Sequence, residues 1–232
     1  ISNTQTRMYI IFKHVRFHPT IKINYIQMKH EWKKYEKQFY LPKNKPELIS
    51  IPKFKFFTIE GSGNPNDDFF AEYIGVLYSL SYGIKMSPKK GIGPKGYFDY
   101  TVYPLEGVWD LNDEARKSFD GTINKNDFVF KLMIRQPDFV DKDFALQILE
   151  QTKKKKPHIL FEQIKFEEII EGDCIQMLHL GSYDNEPVSF KLMESFAEQE
   201  NYSRKSKTHR EIYLSDARKV SADKLKTILR FS

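Results

Sequence analysis

The feature that most constrains the fold is a pattern that occurs twice along the chain. Each copy contains a strand, a glycine turn with an Asn or Asp that can cap a helix, a long amphipathic helix, a polar loop and two further strands. The copies span about residues 48–135 and 173–231. Because neither copy can bury its hydrophobic face alone, the two should combine around a pseudo-two-fold axis.

The repeat predicts an α+β fold built from tandem β-α-β-β modules. Its concave antiparallel sheet carries two long helices behind a central ligand cleft. In this alignment Gly61 corresponds to Gly181, and a strand predicted over residues 97–103 corresponds to the strand that begins at His209. Residues 104–107 are expected to form a turn that leads into a short strand at Trp109.

The domain boundary is expected near Met28. Residues 1–27 contain several basic side chains and show no strong helical periodicity. We interpret them as an N-terminal extension outside the core fold, and residues 28–232 as a single domain that begins with a helical segment.

Composition favours a folded, water-soluble protein. The chain of 232 residues contains 19 Phe and 13 Tyr, which supply ample core material. Its formal charge of +6 is spread out, and the densest basic run is residues 153–156. That run is interpreted as a solvated helix end, with a phosphate-binding patch as the less favoured alternative. No nucleic-acid-binding motif occurs, so no direct nucleic-acid partner is predicted.

Cysteine and histidine usage argue against metal and disulfide chemistry. Cys174 is the only cysteine, which excludes a disulfide framework and a thiolate cluster and favours a cytoplasmic location. The histidines lack metal-ligand spacing, so we predict no metal and no cofactor. No stretch reaches the roughly 20 apolar residues of a membrane span, so no membrane partner is predicted. A monomer or weak dimer is expected.

The stretch 208–215 is the best candidate for a functional segment. It alternates as a strand, so Ile212 and Leu214 should face a core while His209, Glu211 and Tyr213 face the other way. A carboxylate between two ring side chains can receive a cation or move a proton. The alternative is an exposed strand carboxylate that faces water.

The repeat predicts which residues share a cleft with this strand. Because equivalent strands meet at the pseudo-axis, we expect Tyr103 and Trp109 beside Glu211 and Tyr213. His179 ends the matching strand, and the favoured interpretation is a hydrogen-bonded structural histidine.

Several motifs resemble the family of GyrI-like small-molecule-binding proteins. They are Gly61-x-Gly63-Asn64-Pro65, Pro104-Leu105-Glu106-Gly107-x-Trp109, Met133-Ile134-Arg135-Gln136-Pro137, His179-x-Gly181-x-Tyr183-Asp184-x-Glu186-Pro187 and His209-x-Glu211-Ile212-Tyr213. The resemblance covers about residue 31 to the C-terminus.

The resemblance implies tandem β-α-β-β modules around a central cleft. It also implies that Glu211, in the Glu-Ile-Tyr motif, is the key acidic residue, and that Trp109, Tyr183 and Tyr213 line the cleft. One stand-alone branch of the family resembles hydrolases of cyclopropane-bearing xenobiotics. This chain departs from that branch at Asp110, where a second aromatic residue is expected.

Three hypotheses for function follow. The first is a pocket protein that binds amphipathic, cationic or electrophilic aromatic molecules through Glu211, with Trp109, Tyr183, Tyr213, Tyr103 and His209 as ligand-binding residues. The second is a hydrolase in which Glu211 acts as the general base. The third is an interaction protein that binds no small molecule.

Overall fold

The computed structural model of the chain describes residues 28–232. The predicted extension, residues 1–27, lies outside this range. The strands are β1 (Glu47–Ser62), β2 (Leu105–Leu111), β3 (Phe128–Gln136), β4 (Lys165–Leu180), β5 (His209–Tyr213) and β6 (Lys226–Phe231). The α-helices are α1 (Trp32–Tyr35), α2 (Lys37–Tyr40), α3 (Phe69–Lys85), α4 (Asp113–Lys117), α5 (Lys142–Lys155) and α6 (Glu186–Gln199).

The strands form one antiparallel sheet that closes into a barrel in the order β1-β3-β2-β5-β6-β4. The order is symmetric, with β1 equivalent to β4, β3 to β6 and β2 to β5. The predicted α+β class and repeated β-α-β-β module are therefore confirmed. The concave sheet closes on itself because its two end strands, β1 and β4, pair with each other. Each of these strands is 16 residues long, and their pairing runs from Glu47↔Gln176 to Thr58↔Lys165.

The strand predicted over residues 97–103 is wrong. The only pairing in this segment is an isolated bridge between Tyr100 and His30. Its aromatic residues alternate for another reason, since they anchor the loop that follows α3. The Tyr97 hydroxyl donates to the Lys85 carbonyl at 2.8 Å. The predicted turn over residues 104–107 is also wrong, because β2 begins at residue 105.

Each module covers its outer face with its own long helix. In the first module Leu77, Leu80 and Ile84 of α3 are completely buried. In the second module Met193 and Ala197 of α6 pack into a separate core cluster with strand residues of β4 and β6. The two modules pair with each other twice, β1 with β4 and β2 with β5. The β2–β5 pairing is called the seam below. Within residues 28–232 no helix has the length and apolar character needed to cross a membrane.

The inner face of β5 carries a buried charge, Arg210, beside the apolar Ile212. Arg210 is buried and donates to Glu106 at 2.6 Å, while its Nε lies 3.1 Å from Glu171. Arg230 lies 3.0 Å from the same Glu171. A buried charge is tolerated only when it is paired and hydrogen-bonded, so the buried Arg210 and Arg230 depend on Glu106 and Glu171.

Candidate functional site

The outer face of β5 places three predicted site residues in a row. Nε2 of His209 lies 3.0 Å from Oε1 of Glu211, within hydrogen-bond distance. Only 8% of Glu211 is exposed, so the carboxylate does not simply face water. Ile212 is buried on the opposite face, which confirms the alternation predicted for this strand.

A second carboxyl group, that of Glu186, meets Glu211 at the start of α6. An oxygen of each carboxyl and a ring nitrogen of His209 all lie within 4.8 Å of one another. Glu186 is 7% exposed, and its Oε1 has no hydrogen-bond partner within the described chain. The site therefore contains a buried pair of glutamates.

The turn between β4 and α6 fixes the position of Glu186. Gly181 adopts a φ of 118°, a conformation that favours glycine, and lets the chain turn sharply after β4. Nδ1 of His179 lies 2.9 Å from the Ser189 hydroxyl on α6, and its Nε2 lies 3.0 Å from the Ser182 carbonyl. His179 thus ties β4 to both the turn and the helix, in agreement with its predicted structural role.

The Glu186 carboxyl keeps its proton at neutral pH. Burial, together with the negative charge of Glu211, raises the pKa of Glu186 to about 10. Two ionised carboxylates so close together in a poorly solvated place would repel each other, so one remains neutral. At pH 7 Glu186 is therefore neutral and can donate a proton beside the Glu211 carboxyl group.

Aromatic side chains surround this pair. Trp109 on β2 donates from Nε1 to the Tyr213 hydroxyl at 2.8 Å. The ring of Tyr183 meets that of Tyr213 edge to face, with centroids 6.1 Å apart. Burial and the charge of Glu211 raise the pKa of Tyr183 to about 12 and that of Tyr213 well above 10.0, so both remain hydroxyl donors at neutral pH.

Gly107 makes room for the indole at the seam. It is the cross-strand neighbour of Glu211, and Trp109 is that of His209. A Cβ at position 107 would lie 2.7 Å from the Trp109 Nε1, closer than real Cβ contacts come. The glycine therefore lets the indole fold over the strand and reach Tyr213.

The structure brings together five of the six predicted site residues, namely Trp109, Tyr183, His209, Glu211 and Tyr213. It places the sixth, Tyr103, in a different cluster, contrary to the expected shared cleft. The Tyr103 hydroxyl donates to Glu36 at 2.6 Å, and its ring packs against Tyr40 and Arg135. Tyr103 lies in the loop before β2 and not in the strand that the alignment predicts over residues 97–103.

Glu186 was missed as a functional residue. An acidic residue in the first turn of a helix is ordinary, because it complements the positive end of the helix dipole. The only signal in the sequence was its place in a longer motif after a glycine turn. Its burial follows from the approach of α6 to β5, which local patterns do not reveal.

The same three side chains could also hold a cation. Glu186, His209 and Glu211 offer two carboxylate oxygens and one imidazole nitrogen, a donor set that suits a divalent transition metal. The absence of a metal remains a prediction from the sequence.

Fold and site together define a barrel of two fused β-α-β-β modules with an acidic, aromatic site at their seam. A carboxyl pair among ring side chains can receive a cation or move a proton. The chain matches the GyrI-like small molecule binding domain over residues 44–231 and belongs to that family.

Solved structures agree with this assignment. The chain is 34% identical to a hydrolase from Listeria innocua, covering 88% of this chain and 98% of that one, with a TM-score of 0.78. It is 36% identical to an uncharacterized conserved protein from the same organism, covering 88% and 99%, with a TM-score of 0.78. The EcmrR C-terminal domain shares the fold at 12% identity, covering 81% and 95%, with a TM-score of 0.50. No match was found among curated proteins.

Proposed function

We propose that this protein binds amphipathic aromatic small molecules that are cationic or electrophilic, at the site formed by Glu186, His209, Glu211, Tyr183 and Tyr213. The observation that carries the proposal is a nearly buried carboxylate, Glu211, set among ring side chains. A carboxylate in a poorly solvated place attracts a cation more strongly than one in water. Ring faces add cation–π and dispersion contacts.

Matched ligands of different charge test this proposal. Benzyltrimethylammonium and its uncharged analogue neopentylbenzene have nearly the same shape, so the difference in their affinities reports the contribution of charge. We expect Glu211→Gln to weaken the cation at least about tenfold, or 1.4 kcal/mol, and to leave the neutral analogue unchanged. Binding can be followed by calorimetry.

Glu198→Gln is the control, because Glu198 is an exposed residue of the same helix as Glu186. Equal losses for both ligands, or equal effects of the two substitutions, would show that the site has been assigned to the wrong residues.

A second candidate is a hydrolase that opens strained, cyclopropane-type rings. The neutral Glu186 beside Glu211 favours it, because general acid–base catalysis needs one group that donates a proton and one that accepts it. Two relatives from Listeria innocua, 34% and 36% identical, are named as hydrolases.

In this reaction Glu211 would take a proton from water as the water oxygen bonds to a ring carbon. The carbon–carbon bond that breaks would pass its electron pair to the electron-withdrawing group conjugated with the ring, and Glu186 would supply the proton that neutralises it. The hydroxyls of Tyr183 and Tyr213 would orient the water.

Turnover of an activated cyclopropane compound, followed by its absorbance, tests the second candidate. Glu211→Gln and Glu186→Gln should each reduce the rate by about 100-fold or more, while Glu198→Gln should not. Binding without turnover above the buffer rate in the wild-type protein would reject the hydrolase and leave the binding function in place.

A further inference from the structure

A second concave surface lies between α3 and α5, and none of its lining residues belongs to the site around Glu211. The cleft has a volume of about 440 Å³, within the range of small-molecule sites. It is lined by Tyr78, Ser79, Tyr82, Gly83, Met86, Lys90, Ile148, Gln151, Thr152, Lys155 and Lys156.

Two tyrosine rings form one wall of this cleft. Tyr78 and Tyr82 lie one helical turn apart on α3, with ring centroids 6.3 Å apart and ring planes inclined by 33°. Tyr82 is 52% exposed, a large fraction for an aromatic side chain beside a cleft. At Gly83 the helices touch, since a Cβ there would lie 2.8 Å from Ile148 Cγ2. Beside this contact Tyr82 lines the cleft with about half of its side chain exposed.

All charged side chains that line the cleft are positive. Lys90, Lys155 and Lys156 line it, and no Asp or Glu does. Within the part of the chain that the structure describes, none of these three lysines forms an ion pair. Lys153 of the same basic run behaves differently, because it pairs with Glu150 at 3.3 Å and with Glu162 at 3.0 Å. Of the four lysines in the run, Lys155 and Lys156 therefore line the cleft as unpaired cations, while Lys153 and Lys154 lie outside it.

We propose that this cleft binds a planar aromatic anion, such as an aryl phosphate or an aryl carboxylate. The ring of the ligand would stack on Tyr82 and Tyr78, and its anionic group would lie among the ammonium groups of Lys90, Lys155 and Lys156. Gln151 on α5 and Ser79 on α3 offer uncharged hydrogen-bonding groups in the same cleft. This site would select ligands of the opposite charge to those of the Glu211 site.

Titration with naphthyl phosphate, followed by calorimetry, tests the proposal. Because naphthyl phosphate can use both the three unpaired lysines and the stacking face, its Kd should be at least about tenfold lower than that of inorganic phosphate or of neutral naphthol. The double variant Lys155→Gln/Lys156→Gln should weaken naphthyl phosphate about tenfold or more, and Tyr82→Leu by a similar factor. Naphthoate distinguishes a preference for phosphate from one for any aromatic anion, and either result agrees with the proposal.

Lys154→Gln is the matched control. Lys154 stands in the same basic run but does not line the cleft, so its substitution should leave the affinity unchanged. All substituted positions are exposed or half-buried, and an unchanged melting temperature shows that each variant is folded. The proposal is overturned if Lys154→Gln weakens binding as much as the double variant. It is also overturned if inorganic phosphate binds as tightly as naphthyl phosphate, or if a single-stranded oligonucleotide binds more tightly than either.

Discussion

The substitution Glu186→Gln tests whether the Glu186 carboxyl keeps its proton in the folded protein. The pKa of this carboxyl is about 10 in the folded protein and close to 4.5 in an unfolded chain. Between these values the unfolded chain has released a proton that the folded protein keeps. Stability contributed by this group is therefore complete below pH 4.5 and decreases as the pH rises towards 10.

The expected magnitude follows from the same two values. Each pH unit between them costs about 1.4 kcal/mol, so from pH 4.5 to pH 7 the free energy of unfolding falls by about 3 kcal/mol. Glutamine resembles the protonated carboxyl in shape and can still donate a hydrogen bond to Glu211. Glu186→Gln should therefore be more stable than the wild type by about 3 kcal/mol at pH 7, and about equal to it at pH 4.

Urea unfolding at several pH values between 4 and 9 measures this effect. The stability advantage of Glu186→Gln over the wild type should grow above pH 4.5 with a slope of about one proton, because all other titrating groups are common to both proteins. Glu198→Gln, in an exposed position of the same helix, should retain the wild-type slope. The reasoning fails if Glu186→Gln is equally destabilised at every pH, because the carboxyl would then contribute only contacts and no retained proton.

Two further substitutions examine the framework of the site. Arg210→Ala should lower the free energy of unfolding by about 3–5 kcal/mol, since it leaves the buried Glu106 without its partner and Glu171 with Arg230 alone. Urea unfolding measures this loss, and a loss below about 1 kcal/mol would contradict the expectation. Gly107→Ala should displace the Trp109 indole and cost about 1–3 kcal/mol, with a changed tryptophan fluorescence spectrum; an unchanged spectrum and stability would show that the indole does not lie over the glycine.

Much of the fold could be predicted because the repeat is carried by local patterns. Glycine turns, helix periodicity and strand alternation lie within each module, and two modules have few ways to combine. Closure of the barrel could not be predicted, since it depends on pairing between β1 and β4, which lie more than 100 residues apart in the chain. The segment 97–103 misled the prediction because its alternating aromatic residues anchor a loop instead of forming a strand.

The candidate site, too, could be predicted only in part. Alternation along β5 correctly placed His209 and Glu211 on one face, because strand geometry fixes side-chain direction. Glu186 belongs to a different element, and its contact with Glu211 arises only when α6 packs against the barrel. The burial of Arg210 could not be predicted either. No sequence pattern around a charged strand residue indicates that it forms ion pairs with Glu106 and Glu171 inside the barrel.

The central claim is that small molecules bind at the Glu186–Glu211 pair. Carbon-13 NMR of labelled glutamate carboxyl groups tests it most directly, with assignments taken from Glu186→Gln and Glu211→Gln. Addition of benzyltrimethylammonium should shift the resonances of both carboxyls, with the same Kd that calorimetry gives, and should leave Glu198 unchanged. A ligand that binds while these two resonances stay in place, and others move, would contradict the account.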